Sequence, residues 1–276
     1  MTQAAVIGWP IEHSRSPMIH GHWLKRYGID GAYTKIAVRP EEVQSFLHSL
    51  AARGLAGCNV TLPHKEAAFR AASVRDASAE AVGAANTLWL ENGRLHAANT
   101  DTYGFMRHLE VSAPGWMSKD RPVLVLGAGG AARGIVYGLL EAGVGKVRIA
   151  NRTLARAEDV AQRFGRRVEA LAWDDAGRAA ADAGLLVNTT SLGMAKTGPL
   201  DFDVARLPRD GIVADIVYVP LETALLKAAR TQGLATVDGL GMLLHQAVPG
   251  FAKWFGTMPE VTAELRDLLV RDIEGR

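Results

Sequence analysis

The fold of this chain follows from one stretch, Val123-Leu-Val-Leu-Gly-Ala-Gly-Gly-Ala-Ala-Arg-Gly134. Four apolar residues run directly into a glycine cluster and a helical pattern follows, which predicts a buried strand, a tight turn and a helix start. The spacing of Gly127, Gly129 and Ala132 fits the G-x-G-x-x-G/A dinucleotide pattern. In that pattern the first glycine makes the turn, the second leaves room for a pyrophosphate, and the third position lets the helix pack on the strand. The N–H groups at the start of such a helix bind phosphates, so the stretch predicts a dinucleotide site.

The loop after the next predicted strand favours NADP(H) over NAD(H). Proteins that bind NAD usually have Asp or Glu there, about 20 residues after the glycines, to hold the ribose 2′-hydroxyl. This loop instead contains Asn151, Arg152 and Thr153, with Arg156 one helical turn later. A guanidinium binds a 2′-phosphate through paired, charge-assisted hydrogen bonds. A plainer interpretation, in which Thr153 caps a helix and the arginines are only solvated, stays open.

The composition is that of an ordinary globular protein with room for two domains. The chain has 276 residues, of which 48% are hydrophobic and 22% charged, and its net charge of +2 favours neither nucleic acid nor a membrane surface as a partner. A single cysteine, Cys58, excludes an internal disulfide and a cysteine-cluster metal site, and it fits a reducing compartment. The sequence contains no signal-peptide pattern and no apolar run of about 18 residues. We therefore expect a cytoplasmic protein without a membrane span.

Hydrophobic periodicity predicts two successive series of strands and helices. The dipeptide Asn92-Gly93 also predicts a tight hairpin turn between two strands of the first series. The predicted strands are Ala4–Gly8, Ala32–Val38, Leu55–Val60, Thr87–Glu91, Leu95–Ala98, Val123–Leu126, Lys146–Ala150, Arg167–Ala170, Gly184–Asn188, Gly211–Asp215 and Leu234–Val237, and the predicted helices are Pro17–Tyr27, Pro40–Arg53, Tyr103–Leu109, Ala131–Ala142, Leu154–Phe164, Leu221–Thr231, Leu240–Phe255 and Glu260–Ile273.

This alternation predicts an α/β fold of two domains. The first series should form a domain with a mainly parallel sheet, and residues 104–239 should form a doubly wound, Rossmann-type domain. The last two helices have no strand after them, so we expect them to pack back on the first domain, which then comprises residues 1–103 plus 240–276. Ligands in such folds bind at the carboxyl ends of the strands, so a cleft between the domains is the expected active site.

The segment after the first strand places two serines at a helix start. Ser14 and Ser16 precede Pro17, which suits the first helical position. Two hydroxyls at a helix N-terminus can bind a carboxylate. Simple capping by Ser16 explains that residue equally well, but it leaves Ser14 and the neighbouring His13 unexplained.

A lysine follows the third strand, in Asn59-Val-Thr-Leu-Pro-His-Lys65. A lysine at this edge of the sheet can donate a proton to a developing alkoxide, as a carbonyl reductase requires. A lone lysine is more often a surface charge, but here Asp101 leaves the last strand of the same domain and can orient the ammonium group. Asn86, at the start of another strand, adds a neutral group that can bind a hydroxyl.

His20-Gly-His22 offers two imidazoles but a poor metal site. Side chains at i and i+2 of a helix project from different faces, and no third ligand lies nearby in the sequence. We therefore expect no metal, and we expect Cys58 to be a small buried residue at a strand end.

Together these ordered motifs resemble those of the shikimate dehydrogenase family over almost the whole chain. The opening is similar to the family's G-x-P-I-x-H-S-x-S-P-x-x-H motif, and so many matches in order make a chance resemblance very improbable. The matching segments are Gly8–His20, Asn59–Lys65 (N-V-T-x-P-x-K), Gly83–Thr87 (G-A-x-N-T), Asn99–Asp101 (N-T-D), the glycine turn, Asn151–Thr153, Asn188–Met194 (N-x-T-S-x-G-M), Asp215–Pro220 and Asp238–Gln246.

The resemblance implies the reversible NADPH-dependent reduction of 3-dehydroshikimate to shikimate, a step of aromatic amino acid biosynthesis. By position, Lys65 would protonate the carbonyl oxygen, and Asp101 would hold Lys65 and bind a ring hydroxyl. Whether the protein is a monomer or a homodimer stays open. The residues implied to bind substrate are Ser14, Ser16, Thr61, Lys65, Asn86, Asp101, Tyr218 and Gln246, and those implied to bind NADP(H) are Gly127, Ala128, Gly129, Gly130, Ala131, Asn151, Arg152, Thr153, Arg156, Thr189, Ile216, Gly239 and Met242.

Three alternatives share parts of this pattern. A quinate/shikimate or aminoshikimate dehydrogenase relative would have the same scaffold, but dual-specificity members tend to carry an acid in the loop that here contains Arg152. A methylene-tetrahydrofolate dehydrogenase has two α/β domains and a catalytic lysine, yet it does not explain the serine pair or the N-T-D segment. A non-catalytic NADP(H)-binding regulator would keep the glycine turn but need not keep Lys65, Asp101, Asn86 and Gln246 together.

Overall fold

The chain forms two compact units, one of which is discontinuous in sequence. The first consists of Met1–Asp101 and Leu244–Arg276, and the second of Thr102–Leu243. The chain passes from one unit to the other within two helices, Thr100–Ser112 and Gly239–Phe255. The structure, a computed structural model, describes residues 1–117, 120–195 and 197–275.

Each unit contains one six-stranded sheet. The strands of the first sheet are β1 (Thr2–Gly8), β2 (Gly31–Ala37), β3 (Leu55–Val60), β4 (Val74–Arg75), β5 (Thr87–Glu91) and β6 (Arg94–Ala98), and those of the second are β7 (Val123–Leu126), β8 (Val147–Asn151), β9 (Val168–Ala172), β10 (Leu185–Asn188), β11 (Ile212–Asp215) and β12 (Ala235–Val237).

Helices connect and cover the strands. Within the described ranges, no helix is long and apolar enough to cross a bilayer. The α-helices are α1 (Ser16–Tyr27), α2 (Val43–His48), α3 (Lys65–Ala71), α4 (Ala77–Val82), α5 (Thr100–Ser112), α6 (Gly130–Glu141), α7 (Leu154–Phe164), α8 (Ala176–Ala179), α9 (Ala224–Thr231), α10 (Gly239–Phe255) and α11 (Ala263–Glu274).

The first sheet is mixed, with strand order β2-β1-β3-β5-β6-β4. β1 pairs in parallel with β2 and β3, and β4 pairs in parallel with β6, whereas β5 is antiparallel to both of its neighbours. The antiparallel pairing of β5 with β6 follows from the two-residue turn between them, in which Asn92 (φ 51°) and Gly93 (φ 72°) both adopt left-handed backbone conformations. A turn this short can join only antiparallel strands.

The two C-terminal helices pack on the first unit, as the sequence predicts. Trp254 of α10 donates a hydrogen bond from Nε1 to the backbone oxygen of Leu88 in β5 (2.9 Å), and Trp23 of α1 donates to the backbone oxygen of Glu260 (2.9 Å), just before α11. The fully buried Phe251 packs edge-to-face on Trp23, with 5.3 Å between ring centroids. Long-range aromatic contacts of this kind hold the tail on the sheet that precedes it by more than a hundred residues.

The second sheet is parallel throughout, with strand order β12-β11-β10-β7-β8-β9. This is the doubly wound order of a Rossmann fold, in which the strand order reverses between β7 and β10. Val123 and Val125 of β7 belong to one hydrophobic core, and Leu124 and Leu126 belong to the core on the opposite face. The predicted α/β fold is therefore confirmed, and the continuous apolar run of β7 is explained by burial on both faces.

The glycine turn after β7 combines one crowded position with two open ones. Gly127 has a positive φ of +98°, and a Cβ atom there would lie 2.8 Å from Oγ1 of Thr189. Helix α6 begins three residues later, at Gly130, and Cβ atoms added at Gly129 or Gly130 would meet nothing within 4 Å. Gly127 thus makes the turn, while the start of α6 presents backbone N–H groups to open space.

Replacing Gly127 by alanine should destabilise the second unit more than the matched change Gly143→Ala. Both glycines have nearly the same φ (+98° and +97°), but the position of a Cβ at Gly143 is open, whereas at Gly127 it is crowded by Thr189 and Thr190. We expect Gly143→Ala to cost about 1–2 kcal/mol, because a non-glycine residue resists positive φ. Gly127→Ala should cost roughly 1–3 kcal/mol more, because it also overpacks the turn.

The free energy of unfolding of both variants can be measured by urea denaturation without added nucleotide. Equal losses for the two variants would show that crowding by Thr189 and Thr190 does not contribute to the conformation of this turn.

Candidate active site

The structure brings Lys65 and Asp101 into direct contact in the first unit. Lys65 is the first residue of α3, Asp101 lies in the first turn of α5, and Nζ lies 2.5 Å from Oδ2. Both side chains are partly exposed, at 29% and 20%. The N-terminal end of α5 stabilises the carboxylate through the helix dipole. The pair is therefore an ammonium group held by an anionic partner and accessible to a ligand.

Asn86 and Gln246 complete a cluster around this carboxylate. Asn86 donates from Nδ2 to Oδ1 of Asp101 (2.8 Å) and, at 3.4 Å, to Oε1 of Gln246 from α10. Both amide side chains are buried. Asp101 thus accepts hydrogen bonds on both oxygens, from Asn86 on one and from Lys65 on the other, which fixes the orientation of the carboxylate. The structure thus brings together four of the predicted substrate residues.

Ser14, Ser16 and Thr61 follow the carboxyl ends of two adjacent parallel strands, β1 and β3. The loops after these strands are joined by a hydrogen bond from the backbone N of Trp9 to the backbone O of Leu62 (3.1 Å). Thr61 fits closely on β1, since a Cβ at Gly8 would lie 2.5 Å from its methyl group.

The start of α1 differs from the sequence prediction. Ser16 is the first helical residue and the N-cap position belongs to Arg15, whose side chain pairs instead with Asp272 of α11 (2.8 Å). The N–H of Ser16 donates to the hydroxyl of Ser14 at 3.4 Å. The expectation that Ser16 caps the helix is therefore wrong, and Ser14 is the serine that accepts a hydrogen bond from the first turn.

His20 is an interior residue of the first unit. Its ring stacks on Tyr33 with 3.9 Å between centroids, and its ring nitrogens are buried without a hydrogen-bond partner. Burial lowers the pKa of His20 to about 3 and raises the pKa of the Cys58 thiol to about 12, so both are neutral near pH 7. Among the described residues, no group of three or more His, Cys, Asp and Glu side chains could hold a metal ion.

The predicted cofactor residues of the second unit surround the point where its strand order reverses. Residues 127–131 follow β7 and Thr189 follows β10, and the Thr189 hydroxyl donates to the backbone oxygen of Leu126 at 2.7 Å. Ile216 follows β11, and Gly239 packs against it so closely that a Cβ there would lie 2.3 Å from the Ile216 oxygen. Met242 packs against the hydrophobic core of the same unit. Ligands of doubly wound folds bind at this edge.

One predicted substrate residue, Tyr218, belongs to the second unit, where it lies half-buried three residues after β11. The loop that carries it is held by the buried carboxylate of Asp215, which accepts hydrogen bonds from Asn188 Nδ2 (2.9 Å) and the Thr223 hydroxyl (2.7 Å). Burial raises the pKa of Asp215, and these hydrogen bonds oppose the shift. Asp215 has no role predicted from the sequence, although an acid at the end of a buried strand is a signal that it needs hydrogen-bond partners.

The loop after β8 suits an anionic group. Thr153 occupies the N-cap position of α7, but its side chain makes no capping hydrogen bond, so the plainer interpretation of this residue is not supported. Arg152, Thr153 and Arg156 are exposed, and in the part of the chain that the structure describes neither guanidinium forms an ion pair. Asn151 donates to the backbone oxygen of Thr153 (2.8 Å) and fixes the bend. Two unpaired guanidinium groups and a free hydroxyl fit the 2′-phosphate of NADP(H).

Comparisons with known proteins identify similar chains. Residues 6–88 match the model of the shikimate dehydrogenase substrate binding domain, and residues 112–196 match that of shikimate / quinate 5-dehydrogenase. The curated shikimate dehydrogenase (NADP(+)) of Azorhizobium caulinodans is 56% identical over 276 residues, covering 100% of this chain and 98% of that protein.

Solved structures show the same similarity. The shikimate 5-dehydrogenase of Thermus thermophilus in complex with NADP(H) and shikimate has a TM-score of 0.86 and 35% identity, covering 99% of this chain and 100% of that one. The quinate dehydrogenase of Corynebacterium glutamicum in complex with NAD has a TM-score of 0.89 and 31% identity, covering 98% of each chain. The chain belongs to the shikimate dehydrogenase family.

Proposed function

We propose that the protein catalyses the reversible NADPH-dependent reduction of 3-dehydroshikimate to shikimate, the step of aromatic amino acid biosynthesis that its family carries out. The observation that carries the proposal is the cluster of Lys65, Asp101, Asn86 and Gln246, because an ammonium proton donor, its carboxylate partner and two amides suit a substrate with a ketone and ring hydroxyls. Bound NADPH supplies the hydride that adds to the carbonyl carbon.

Lys65 supplies the proton. Its ammonium group donates to the substrate oxygen as the carbonyl becomes an alkoxide, so that the reduction consumes one hydride and one proton. Asp101 holds the ammonium group in place through the 2.5 Å contact and accepts a hydrogen bond from a ring hydroxyl. In the reverse direction, neutral Lys65 takes the proton from the hydroxyl of shikimate.

Further contacts set the orientation and specificity of the substrate. In this proposal Asn86 and Gln246 bind ring hydroxyls, and analogues without those hydroxyls lose these hydrogen bonds. Hydroxyl groups bind the substrate carboxylate and nearby oxygens. These hydroxyl donors are Ser14, Ser16, Thr61 and Tyr218.

Cofactor binding is assigned to the second unit. The backbone N–H groups at the start of α6 bind the pyrophosphate, and the exposed arginine loop after β8 binds the 2′-phosphate and adenine. With these roles, residues 104–239 form the NADP(H) domain, and residues 1–103 plus 240–276 form the substrate domain. The residues assigned to NADP(H) are Gly127, Ala128, Gly129, Gly130, Ala131, Asn151, Arg152, Thr153, Arg156, Thr189, Ile216, Gly239 and Met242.

We further propose a reducing, cytoplasmic location and a monomeric or homodimeric protein. Cys58, the single cysteine, is a buried thiol, which suits a protein that folds without disulfides. Size-exclusion chromatography with light scattering distinguishes the two oligomeric states.

The similarity to a quinate dehydrogenase makes a broader-specificity enzyme the second candidate. The two candidates are separated by measuring the reduction of NADP⁺ at 340 nm with shikimate. The measurement is then repeated with quinate in place of shikimate, and with NAD⁺ in place of NADP⁺. Activity confined to shikimate and NADP⁺ supports the biosynthetic assignment, whereas comparable rates with quinate or NAD⁺ favour the second candidate. Activity with no combination would contradict both.

Replacing Lys65 by alanine should lower kcat by roughly 10²- to 10⁴-fold with a much smaller change in KM, because the proton donor acts mainly in the transition state. The control is Lys35→Ala, which removes an exposed lysine of the same unit whose Nζ donates to the backbone oxygen of Glu12. Steady-state kinetics in both directions provide the measurement. A change in KM alone would make Lys65 a binding residue and exclude it as the proton donor.

Replacing Arg152 by alanine should raise the dissociation constant for NADPH by about 10- to 100-fold and leave that for NADH nearly unchanged, because only NADPH has the 2′-phosphate. Arg166→Ala serves as the control, since Arg166 is also exposed in the second unit but lies outside the loop after β8. Fluorescence titration of each nucleotide measures the effect. Equal weakening of NADPH and NADH binding by Arg152→Ala would rule out a 2′-phosphate contact.

A further inference from the structure

A continuous chain of buried side-chain hydrogen bonds leads from β2 to the catalytic cluster. It begins at Tyr33, whose hydroxyl lies 2.6 Å from Oδ1 of Asn59. Asn59 donates from Nδ2 to the hydroxyl of Thr87 (3.1 Å), and that hydroxyl lies 2.8 Å from the hydroxyl of Thr100. The Thr100 hydroxyl in turn donates to Oδ1 of Asn86 at 3.1 Å. All five side chains are buried.

The donors in this chain all point in one direction. Asn59 also donates from Nδ2 to the backbone oxygen of Asn86 (3.1 Å), which can only accept, so the Asn59 oxygen faces Tyr33. Because the Thr87 hydroxyl accepts from Asn59, its own proton is directed either to the Thr100 hydroxyl or to Oδ1 of Asn86, which lies at 3.3 Å. Each group therefore accepts from the side of Tyr33 and donates toward Asn86.

The end of the chain determines which atoms of Asn86 face the catalytic pair. Oδ1 of Asn86 accepts from both the backbone N–H (2.7 Å) and the hydroxyl of Thr100, so Nδ2 is the atom turned to Asp101. If the Asn86 amide turned over, Oδ1 of Asn86 would face Oδ1 of Asp101, and Asp101 would lose the hydrogen bond from Nδ2. The position of the Asp101 carboxylate beside Lys65 thus depends on the orientation of the Asn86 amide, which the hydrogen bonds from Thr100 determine.

We propose that Thr87, supported by Asn59 and Tyr33, is a positioning residue that holds the Asn86 amide as a hydrogen-bond donor to Asp101 and thereby sets the geometry of the Lys65–Asp101 pair. This inference rests on the proposed function, because its effect is on the proton-transfer step. Thr87 and Asn59 both lie in motifs recognised in the sequence, yet neither received a role there.

The groups packed around the chain do not add charge to it. Burial lowers the pKa of His20 from α1 to about 3, raises that of Cys58 from β3 to about 12, and holds that of Tyr33 well above its ordinary value. All three are therefore uncharged near pH 7. At the end of this series of hydrogen bonds, Asn86 contacts the charged Asp101, whose partner is Lys65. The series therefore acts by orienting hydrogen bonds.

The test compares Thr87→Val with Thr87→Ser. Valine keeps the shape of threonine but removes the hydroxyl, which leaves an N–H of Asn59 and the oxygen of Thr100 without their partner, whereas serine keeps the hydroxyl. We expect Thr87→Val to lower kcat for shikimate oxidation by NADP⁺ about tenfold, and Thr87→Ser to stay within about twofold of the wild-type protein. KM for shikimate should change less than kcat, because the proton-transfer step is affected more than binding.

The pH profile separates positioning from a general loss of stability. Shikimate oxidation requires neutral Lys65, and a carboxylate that has lost an N–H donor holds the ammonium form more strongly. The rising limb of kcat/KM in Thr87→Val should therefore move to higher pH, while that of Thr87→Ser should stay in place. Tyr27→Phe is the control, since the Tyr27 hydroxyl only accepts from the backbone N of Glu260 (3.0 Å) in the same unit.

Each outcome decides between the inferences. An active wild-type protein with an unaltered kcat and pH profile in Thr87→Val would overturn the positioning role and leave the proposed function intact. A wild-type protein without activity on shikimate would overturn both. If Thr87→Val does not fold, Tyr33→Phe interrupts the chain at its other end: a lower kcat with the limb moved to higher pH supports the inference, and an unaltered profile overturns it.

Discussion

The first unit depends on one requirement, that both oxygens of the Asp101 carboxylate accept hydrogen bonds. Lys65 and Asn86 provide them, and they come from segments that are far apart in the sequence but meet at one end of a mixed sheet. Because an ionised carboxylate that loses a partner in a half-buried site is costly, the loops after β3 and before β5 have little freedom to move independently. The geometry of the site and the stability of this edge of the sheet are consequently linked.

The sequence was sufficient for the second unit and for the order of the motifs. The bounds of β3, β7 and α7 were predicted correctly. Burial on both faces of a strand or on one face of a helix leaves a clear hydrophobic period, and glycine or proline lies close to an end of each of these segments. The contact between Lys65 and Asp101 was also predictable, since both follow strand ends of one domain. The roles of these residues in binding and catalysis remain predictions that the variants will test.

The features that the sequence did not reveal depend on contacts between distant residues. The predicted helix Pro40–Arg53 is a 3₁₀ turn followed by the short α2, because the chain turns from Ser49 onward and Gly54 takes a positive φ before β3. The hairpin of β5 and β6 was predicted, but the antiparallel pairing of β5 with β3 and the N-cap position of Arg15 were missed. The series of hydrogen bonds through Asn59 and Thr87 could not be predicted, because hydrogen bonds between side chains from different strands leave no local pattern in the sequence.

The discontinuity of the first unit has a consequence for biosynthesis on the ribosome. Residues 102–243 emerge as one continuous stretch with all six strands of their sheet, and they can complete a core as soon as they are released. The first unit begins to emerge earlier, but it lacks α10 and α11, and hence Trp254 and Phe251, until the whole second unit has been synthesised. The unit whose strands are synthesised first is therefore completed only after the other unit has been synthesised.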